Sequence, residues 1–320
     1  MRSNLSVVYN RHEIMSVHRN DKTVLTVLVD FIREYMAKSH RPDHYKRMYL
    51  IAANHLSAFG KYIGKTIYTN TLDDEGLQEF VHFLQEQQNL MSSTVKGMIE
   101  RVKAMLQRAY NGGYPVDPTF RDFIYRDDEI NTIFLSMTDI ARLYYFRGLK
   151  KNQEIVRDYF IIGCMTALRY SDYSRLTKDN FFEGKISIRT KKTKAPVVVP
   201  VHKFVREIME KYNWELPKAK SIQYFNKVIK EICKKVGFTE LIPYERRKGL
   251  YFTTTMRPKY ELISSHTARR SAATNMFLSG IPTLRIMKIT AHRSEQIFYK
   301  YIKISNEENA ITLSAHQFFN

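Results

Sequence analysis

The sequence predicts a two-domain protein that is mainly α-helical and contains a small antiparallel β-sheet. The chain has 320 residues, a length that suits two domains better than one. Apolar residues recur three and four positions apart along most of it, which is the spacing of amphipathic helices. The spacing changes to alternation in FFEGKISIRTKKTKAPVVVPV, residues 181–201, where a Lys/Thr-rich reversal separates two Val/Ile-rich runs.

Four helices are expected in the first part of the chain. The third begins at Thr71 with acids in its first turn, and the fourth stops at Gly112 and Gly113. With short links between them they predict a helical domain over residues 22–113. Residues 1–21 are then an N-terminal extension, and residues 114–133, with two prolines and no sustained period, are a linker. The four helical segments are residues 22–39, 44–64, 71–88 and 92–113.

The second domain is expected over residues 134–320. It begins with a helix capped by Ser136 or Thr138, and a long apolar helix over residues 153–176 follows. After the sheet, helical patterns return at residues 202–213 and 218–236. A second hairpin is expected around residues 248–263, with helices from there to the end.

The composition indicates a polyanionic partner. Lys and Arg outnumber Asp and Glu by 51 to 32, a formal net charge of +19, which favours nucleic acid ahead of an anionic membrane surface. No apolar run is long enough to span a bilayer, and the first residues lack a secretory pattern, so a cytoplasmic protein is expected. Cys164 and Cys233 have neither disulfide nor zinc spacing and are expected to be reduced.

Two short motifs each allow a functional and a structural interpretation. In HTARRS, His266 and Arg269 are three residues apart, so on a helix they share a face and could grip one phosphate, or form a solvated surface pair. In TALRYSD, Arg169 follows an apolar helix and precedes Asp172 on the same helical face. Such an arginine either pairs with an acid or binds an oxyanion through two N–H groups of its guanidinium.

Two further segments are equally open when taken alone. Lys191, Lys192 and Lys194 lie at the hairpin reversal, where they could protect a sheet edge, or reach a DNA groove and donate a proton. TAHRSEQIFYKYIKIS reads as a basic amphipathic helix, with Tyr299 and Tyr301 two positions apart.

Taken in order, these segments resemble the tyrosine recombinase (phage integrase) family. The order is Arg, hairpin Lys, His-x-x-Arg, Ala-His and Tyr, and the family's catalytic domain contributes Arg, Lys, His or Lys, Arg, His or Trp, and a Tyr nucleophile. The resemblance covers residues 22–315. It is strongest over residues 260–304, which look like the integrases of mobile elements and the phase-variation invertases of Bacteroidetes. It implies a SAM-like core-binding domain followed by a mixed α/β catalytic domain.

The resemblance assigns roles to residues that precede and follow the predicted sheet in the sequence. ALRYSD matches the first arginine box and supplies Arg169, with Asp172 as the acid that supports the site from behind. HTAR supplies His266 and Arg269.

The hairpin lysine is placed by counting from the proline that ends the second strand. The usual interval of eight from Pro200 falls on Lys192. Lys191 and Lys194 remain alternatives, because the length of the turn varies.

TAHRS supplies His292, with Ala291 where the family most often has Gly. The nucleophile usually lies nine residues beyond this histidine, which is Tyr301. Tyr299 is two residues short and lies about 200° away around a helix axis, so it is expected to pack or to face DNA.

The implied chemistry needs no cofactor, metal or ATP. Arg169 and Arg269 would clamp the nonbridging phosphate oxygens, and His266 and His292 would hydrogen-bond there, one of them assisting deprotonation of the tyrosine. Lys192 would protonate the leaving 5′-oxygen. The tyrosine would form a covalent 3′-phosphotyrosyl link, which a second 5′-hydroxyl can reverse.

The same resemblance implies the partners. They are double-stranded DNA with inverted-repeat core sites, three further copies in a homotetramer, and an accessory DNA-bending protein, with no membrane. The segment NEENAITLSAHQFF, residues 306–319, would dock on a neighbouring protomer. Residues 1–21 look too short for an arm-binding domain, which favours an invertase or an integrase with plain core sites.

Three other functions are compatible with parts of the pattern. A type IB topoisomerase shares the chemistry, but the boxes around Arg269 and His292 are typical of integrases. A non-catalytic DNA-binding descendant of a recombinase would be expected to have lost a key position, and all six are present. A helix-turn-helix regulator leaves the polar cluster unexplained.

Overall fold

The computed structural model describes residues 25–126, 132–248, 251–292, 294–299, 302, 310 and 314. The chain divides into two compact units, residues 1–130 with 245–254 and residues 131–244 with 255–320. The fold is mainly helical with small antiparallel sheets, as the sequence predicts. The predicted N-terminal extension and nearly all of the segment 306–319 lie outside the described residues.

Among its described residues, the first unit contains four α-helices around one apolar core. The third begins later than predicted, because its N-cap is Asp73, whose Oδ1 accepts the Gly76 backbone N–H at 2.8 Å. Thr71 instead accepts the Tyr68 backbone N–H at 2.9 Å and stays outside the helix. The helices are α1 (Leu28–Lys38), α2 (Asp43–Ile63), α3 (Asp74–His82), which continues into a π-helical turn (Phe83–Gln87), and α4 (Ser92–Asn111).

Part of the stretch that the sequence assigns to a linker packs on this core. A 3₁₀ turn, Pro118–Arg121, is capped by Asp117, and Phe120 within it is buried. Residues 127–131 of that stretch lie outside the described residues.

The second unit is built around one buried helix, α6 (Lys151–Thr166). It follows α5 (Met137–Tyr145), for which Ser136 is the N-cap. The prediction of one continuous helix over residues 153–176 is wrong, because α6 ends at Ala167 and a separate turn, α7 (Tyr170–Tyr173), follows. The cause is tertiary: a Cβ on Gly163 would lie 2.7 Å from the Tyr173 ring, so the chain folds back closely onto α6.

The predicted sheet is present. Strands β1 (Phe181–Phe182), β2 (Lys185–Arg189) and β3 (Pro196–Pro200) pair antiparallel in that order. Alternate residues of β2 and β3 are buried, which is the period that the sequence shows. The reversal between β2 and β3 contains the three candidate lysines, and Lys194 takes a left-handed φ of 56°.

The second hairpin lies earlier than predicted, at residues 241–258. Its first strand, LIPYERRK, contains a proline and four charged residues. Because these residue types are uncommon in strands, the sequence does not predict this one. Residues 259–262 are helical, with Lys259 held 2.8 Å from both Asp139 and Glu240. The remaining elements are α8 (Lys203–Lys211), α9 (Ile222–Val236), β4 (Leu241–Lys248), β5 (Tyr251–Pro258), α10 (Lys259–Leu262), α11 (Ser265–Leu278), α12 (Thr283–Thr290) and α13 (Glu295–Tyr299).

Both cysteines are buried and free. Within the ranges that the structure covers, no helix is both long enough and apolar enough to cross a membrane.

Candidate active site

Arg269 connects the ends of two helices in the second unit. It lies on α11 and is 2% exposed. Its Nη1 donates to the Ala167 carbonyl at 2.5 Å, and its Nη2 donates to the Thr290 carbonyl. These carbonyls end α6 and α12, where the helix dipole concentrates negative charge. Two backbone oxygens therefore bind this buried cation.

Each of these two helices ends on an alanine in the left-handed region. Ala167 has φ 55° and Ala291 has φ 52°. The chain leaves each helix sharply at that residue, and a candidate site residue follows, Arg169 after α6 and His292 after α12. Arg269 thus holds together the two helix ends that carry Arg169 and His292.

Arg169 is half-buried at the start of α7. Its Nη1 is buried and makes no hydrogen bond to any residue that the structure describes. A buried donor without an acceptor costs about 1–3 kcal/mol. Asp172 Oδ1 contacts the Lys191 backbone N–H and Arg175, and its buried Oδ2 makes no hydrogen bond to a described residue. Because Arg169 and Asp172 make no hydrogen bond to each other through these atoms, the geometry favours the oxyanion-binding interpretation of Arg169 over the structural ion pair.

Asp172 is buried and ties the hairpin reversal to the Arg169 segment. Its Oδ1 accepts the Lys191 backbone N–H at 2.7 Å, and its own N–H donates to the Arg169 carbonyl at 2.8 Å. Sequence reasoning missed Arg175, whose Nη2 lies 3.5 Å from the same carboxylate and also donates to the Arg189 carbonyl in β2. The Asp-x-x-Arg spacing on one helical face is the signal that could have found it.

The three lysines of the reversal are exposed but differ in their surroundings. The backbone of Lys191 is held by Asp172, and the carbonyl of Lys194 accepts from Arg189 Nη1 at 2.8 Å. Lys192 is close enough for its charge to act on His266.

The two histidines lie among cations. Partial burial, followed by the charges of Arg269 and Arg169, lowers the pKa of His292 to about 4. The pKa of His266 is lowered as well, by partial burial and then by Arg270, Arg269, Arg169 and Lys192 in that order. Both imidazoles are therefore neutral near pH 7. Among the described members of the predicted catalytic set, Arg169 and Arg269 act by charge on both histidines, and Lys192 acts on His266.

Helix α13 packs on this cluster. Phe298 is fully buried, and its ring centroid lies 5.7 Å from that of His292. Tyr299, the last residue of α13, is 50% exposed. Tyr301, the predicted nucleophile, lies outside the described residues.

Two family models match the chain. The Phage integrase SAM-like domain matches residues 27–124, and the Phage integrase family matches residues 134–308. The search of curated proteins found no significant match.

Several solved structures share the fold. The Tn1549 transposon integrase, in complex with a circular intermediate DNA, is 12% identical with a TM-score of 0.67, covering 92% of this chain and all of that one. The XerH site-specific recombinase bound to a palindromic difH substrate is 13% identical with a TM-score of 0.64, covering 90% of this chain and 84% of that one. A lambda integrase tetramer bound to a Holliday junction is 10% identical with a TM-score of 0.61, covering 90% and 83%. At these identities the likeness concerns the fold.

Proposed function

Because the chain belongs to the phage integrase family of tyrosine-type site-specific DNA recombinases, we propose that it breaks and rejoins DNA through a covalent 3′-phosphotyrosyl link at Tyr301. One observation carries the proposal. Arg169 and Arg269 lie beside two neutral histidines, and the buried Nη1 of Arg169 has no acceptor among the described residues. A phosphodiester oxygen is an acceptor of the required charge and size.

The roles of the arginines follow from their surroundings. As an oxygen attacks phosphorus, negative charge grows on the nonbridging oxygens, and fixed donors that face them stabilise the transition state. The Nη1 of Arg169 can donate a hydrogen bond to the phosphate. The Nη1 and Nη2 of Arg269 donate to two backbone carbonyls, so we propose that Arg269 acts on the phosphate through its fixed positive charge. The charges of both arginines act on His266, and we propose that His266 hydrogen-bonds the phosphate.

The leaving 5′-oxygen needs a proton, and Lys192 is the proposed donor. It stands on the reversal whose backbone Asp172 holds near the Arg169 segment. The covalent link keeps the energy of the broken phosphodiester, so a 5′-hydroxyl from another strand can reverse the step without ATP.

The proposed assembly is a homotetramer on two duplexes with inverted-repeat core sites. The family supports it, and so does the fold shared with the lambda integrase that is bound to a Holliday junction as a tetramer. We propose that the helical domain, residues 22–113, and the catalytic domain, residues 134–320, both bind the duplex. Among subtypes, residues 260–304 favour a mobile-element integrase or a phase-variation invertase.

The test is a covalent trap. Tyr301→Phe protein is used to select a binding site from random duplexes, and the site is placed in a suicide duplex whose nick lets the cleaved 5′-fragment escape. Wild-type protein is expected to form an adduct that survives denaturation, because the released 5′-hydroxyl cannot return. Tyr301→Phe is expected to form none.

Tyr299→Phe is the matched control, because it removes the same hydroxyl two residues away and is expected to form the adduct normally. An adduct that is lost in Tyr299→Phe and kept in Tyr301→Phe would reverse the assignment. EDTA is expected to leave adduct formation unchanged, and a strict requirement for a divalent metal would contradict the mechanism.

A further inference from the structure

Arg175 joins the segment that follows α7 to the end of strand β2. Its Nη2 lies 3.5 Å from Asp172 Oδ1 and also donates to the carbonyl of Arg189, the last residue of β2. The Arg175 side chain is 44% exposed, whereas that of Asp172 is 1% exposed. One guanidinium nitrogen therefore connects a buried carboxylate to the strand that leads into the lysine-bearing reversal.

The carboxylate of Asp172 is bound to the reversal through one oxygen. Oδ1 accepts the Lys191 backbone N–H at 2.7 Å, and the buried Oδ2 makes no hydrogen bond to a described residue. A buried carboxylate is unfavourable unless a cation and hydrogen-bond donors compensate for the water it has lost. Arg175 supplies a positive charge next to the same oxygen that binds Lys191. Without that charge, we expect the Asp172 side chain to turn towards water and to release the Lys191 N–H.

The reversal, residues 190–195, is shaped by hydrogen bonds within the hairpin. The Thr190 N–H donates to the Ala195 carbonyl at 2.9 Å, and the Lys194 N–H donates to the Thr190 carbonyl at 3.0 Å. Arg189 Nη1 donates to the Lys194 carbonyl at 2.8 Å. These contacts close the turn, but they do not connect it to the segment that carries Arg169.

That connection runs through Asp172. Its backbone N–H donates to the Arg169 carbonyl at 2.8 Å, while its side chain binds the N–H of Lys191, the residue before Lys192. The position of Lys192 relative to Arg169 therefore depends on the Asp172 carboxylate, and the carboxylate depends on Arg175.

We propose that Arg175 is a positioning residue that holds the reversal against the Arg169 segment, and so keeps Lys192 in place to protonate the leaving 5′-oxygen. The inference rests on the proposed function and deepens it, because it names the contact that positions the proton donor. In that step the Lys192 ammonium gives one proton to the 5′-oxygen as the bond from this oxygen to phosphorus breaks, and the lysine is left neutral.

The first test measures amide hydrogen exchange by NMR in the full-length protein without DNA. Arg175→Met keeps a side chain of similar length and removes the charge and the donors. It is expected to speed exchange of the Lys191 amide about three- to tenfold, the effect of one net hydrogen bond. The amide of Ile186, in the central strand of the sheet, is expected to keep its wild-type rate.

The second test measures adduct formation on suicide duplexes with oxygen or sulfur at the bridging 5′ position. Arg175→Met is expected to react about three- to tenfold more slowly than wild type on the oxygen duplex. On the sulfur duplex it is expected to match wild type, because a thiolate leaves without a proton. DNA affinity and its dependence on salt are expected to stay at wild-type values.

Arg206→Met is the matched control, because it removes an exposed arginine from α8 in the same unit. It is expected to behave as wild type in both tests. A slow oxygen reaction in Arg206→Met that sulfur restores would contradict the inference, because loss of any exposed arginine would then have the same effect.

Four results with Arg175→Met would overturn the inference. An unchanged exchange rate at Lys191 would show that Arg175 does not hold the reversal. Equal acceleration at Ile186 would show that Arg175 stabilises the whole sheet. Equal slowing on oxygen and sulfur would exclude an effect on the proton donor. Weaker DNA binding with a less negative salt slope would make Arg175 a phosphate contact.

The failure of this inference can be distinguished from the failure of the proposed function. If wild type forms no adduct on its selected site, the proposed function fails, and the role of Lys192 fails with it. Amide exchange requires neither DNA nor cleavage. Faster exchange at Lys191 in Arg175→Met without any wild-type adduct would therefore identify the recombinase mechanism as the part that failed.

Discussion

Ala167 and Ala291 end the two helices that precede Arg169 and His292. Ala167 and Ala291 both have positive φ, a conformation that costs an L-residue about 1–2 kcal/mol and glycine much less. Helical hydrogen bonding continues up to each of them, with the Ala167 N–H donating to the Gly163 carbonyl at 3.2 Å. Ala291 stands where the family most often has glycine, and its positive φ explains why glycine suits the position.

Ala291→Gly is expected to leave the free energy of unfolding unchanged or to raise it by up to about 1 kcal/mol. Relief of the left-handed strain opposes the extra entropy that glycine adds to the unfolded chain, about 0.4–1 kcal/mol. Urea unfolding followed by circular dichroism measures the difference.

Ala273→Gly is the control, because Ala273 is buried in the interior of α11 and has no strain to relieve. It is expected to destabilise the protein by about 0.5–1 kcal/mol. Equal losses in the two variants would show that the strain at Ala291 is not significant.

At the scale of elements, the hairpin of β2 and β3 is what the sequence predicts best. Its alternation and its Lys/Thr reversal are local signals, and the pairing of Lys185 with Pro200 and of Arg189 with Pro196 follows from them. The break at Ala167 could not be predicted in the same way. TALRYSD permits a helix locally, and the break comes from the packing of Tyr173 against Gly163.

Lys192→Ala is expected to slow cleavage by about 10²–10⁴, the usual contribution of a general acid. Replacing the bridging 5′-oxygen with sulfur should restore the rate, because a thiolate leaves without a proton. Adduct formation on matched oxygen and sulfur suicide duplexes measures both effects.

Lys191→Ala and Lys194→Ala are the matched controls, since they remove a like charge from the same reversal. Both are expected to cleave the oxygen duplex at rates close to that of wild type. If one of them, and not Lys192→Ala, is slow on oxygen and rescued by sulfur, that lysine is the proton donor.

At the scale of the whole molecule, composition and the order of the motifs indicate the substrate class and the candidate residues. They do not reveal the contacts that position those residues. Asp172 and Arg175 contact backbone groups of Lys191 and Arg189, which lie 19 and 14 residues further along the chain. A sequence pattern predicts a contact between two side chains only when they are three or four residues apart on a helix, as for Asp172 and Arg175.

The net charge of +19 leads to a prediction about binding. Each neutralised phosphate contributes about 0.9 to the negative slope of log affinity against log salt concentration on B-DNA. Arg169→Gln is expected to make the slope less negative by about 0.9, because the variant loses one phosphate contact. The ratio of affinities for the selected and a scrambled duplex should not change, since a phosphate contact does not read sequence.

Fluorescence anisotropy at a series of salt concentrations measures both quantities. Lys151→Gln, at the opposite end of α6 from Ala167, removes an exposed charge of the same sign and is expected to keep the wild-type slope. A slope in Arg169→Gln equal to that of wild type would mean that Arg169 binds no phosphate. A change in the affinity ratio would instead place its guanidinium on a base edge, because only base contacts and DNA shape distinguish the two duplexes.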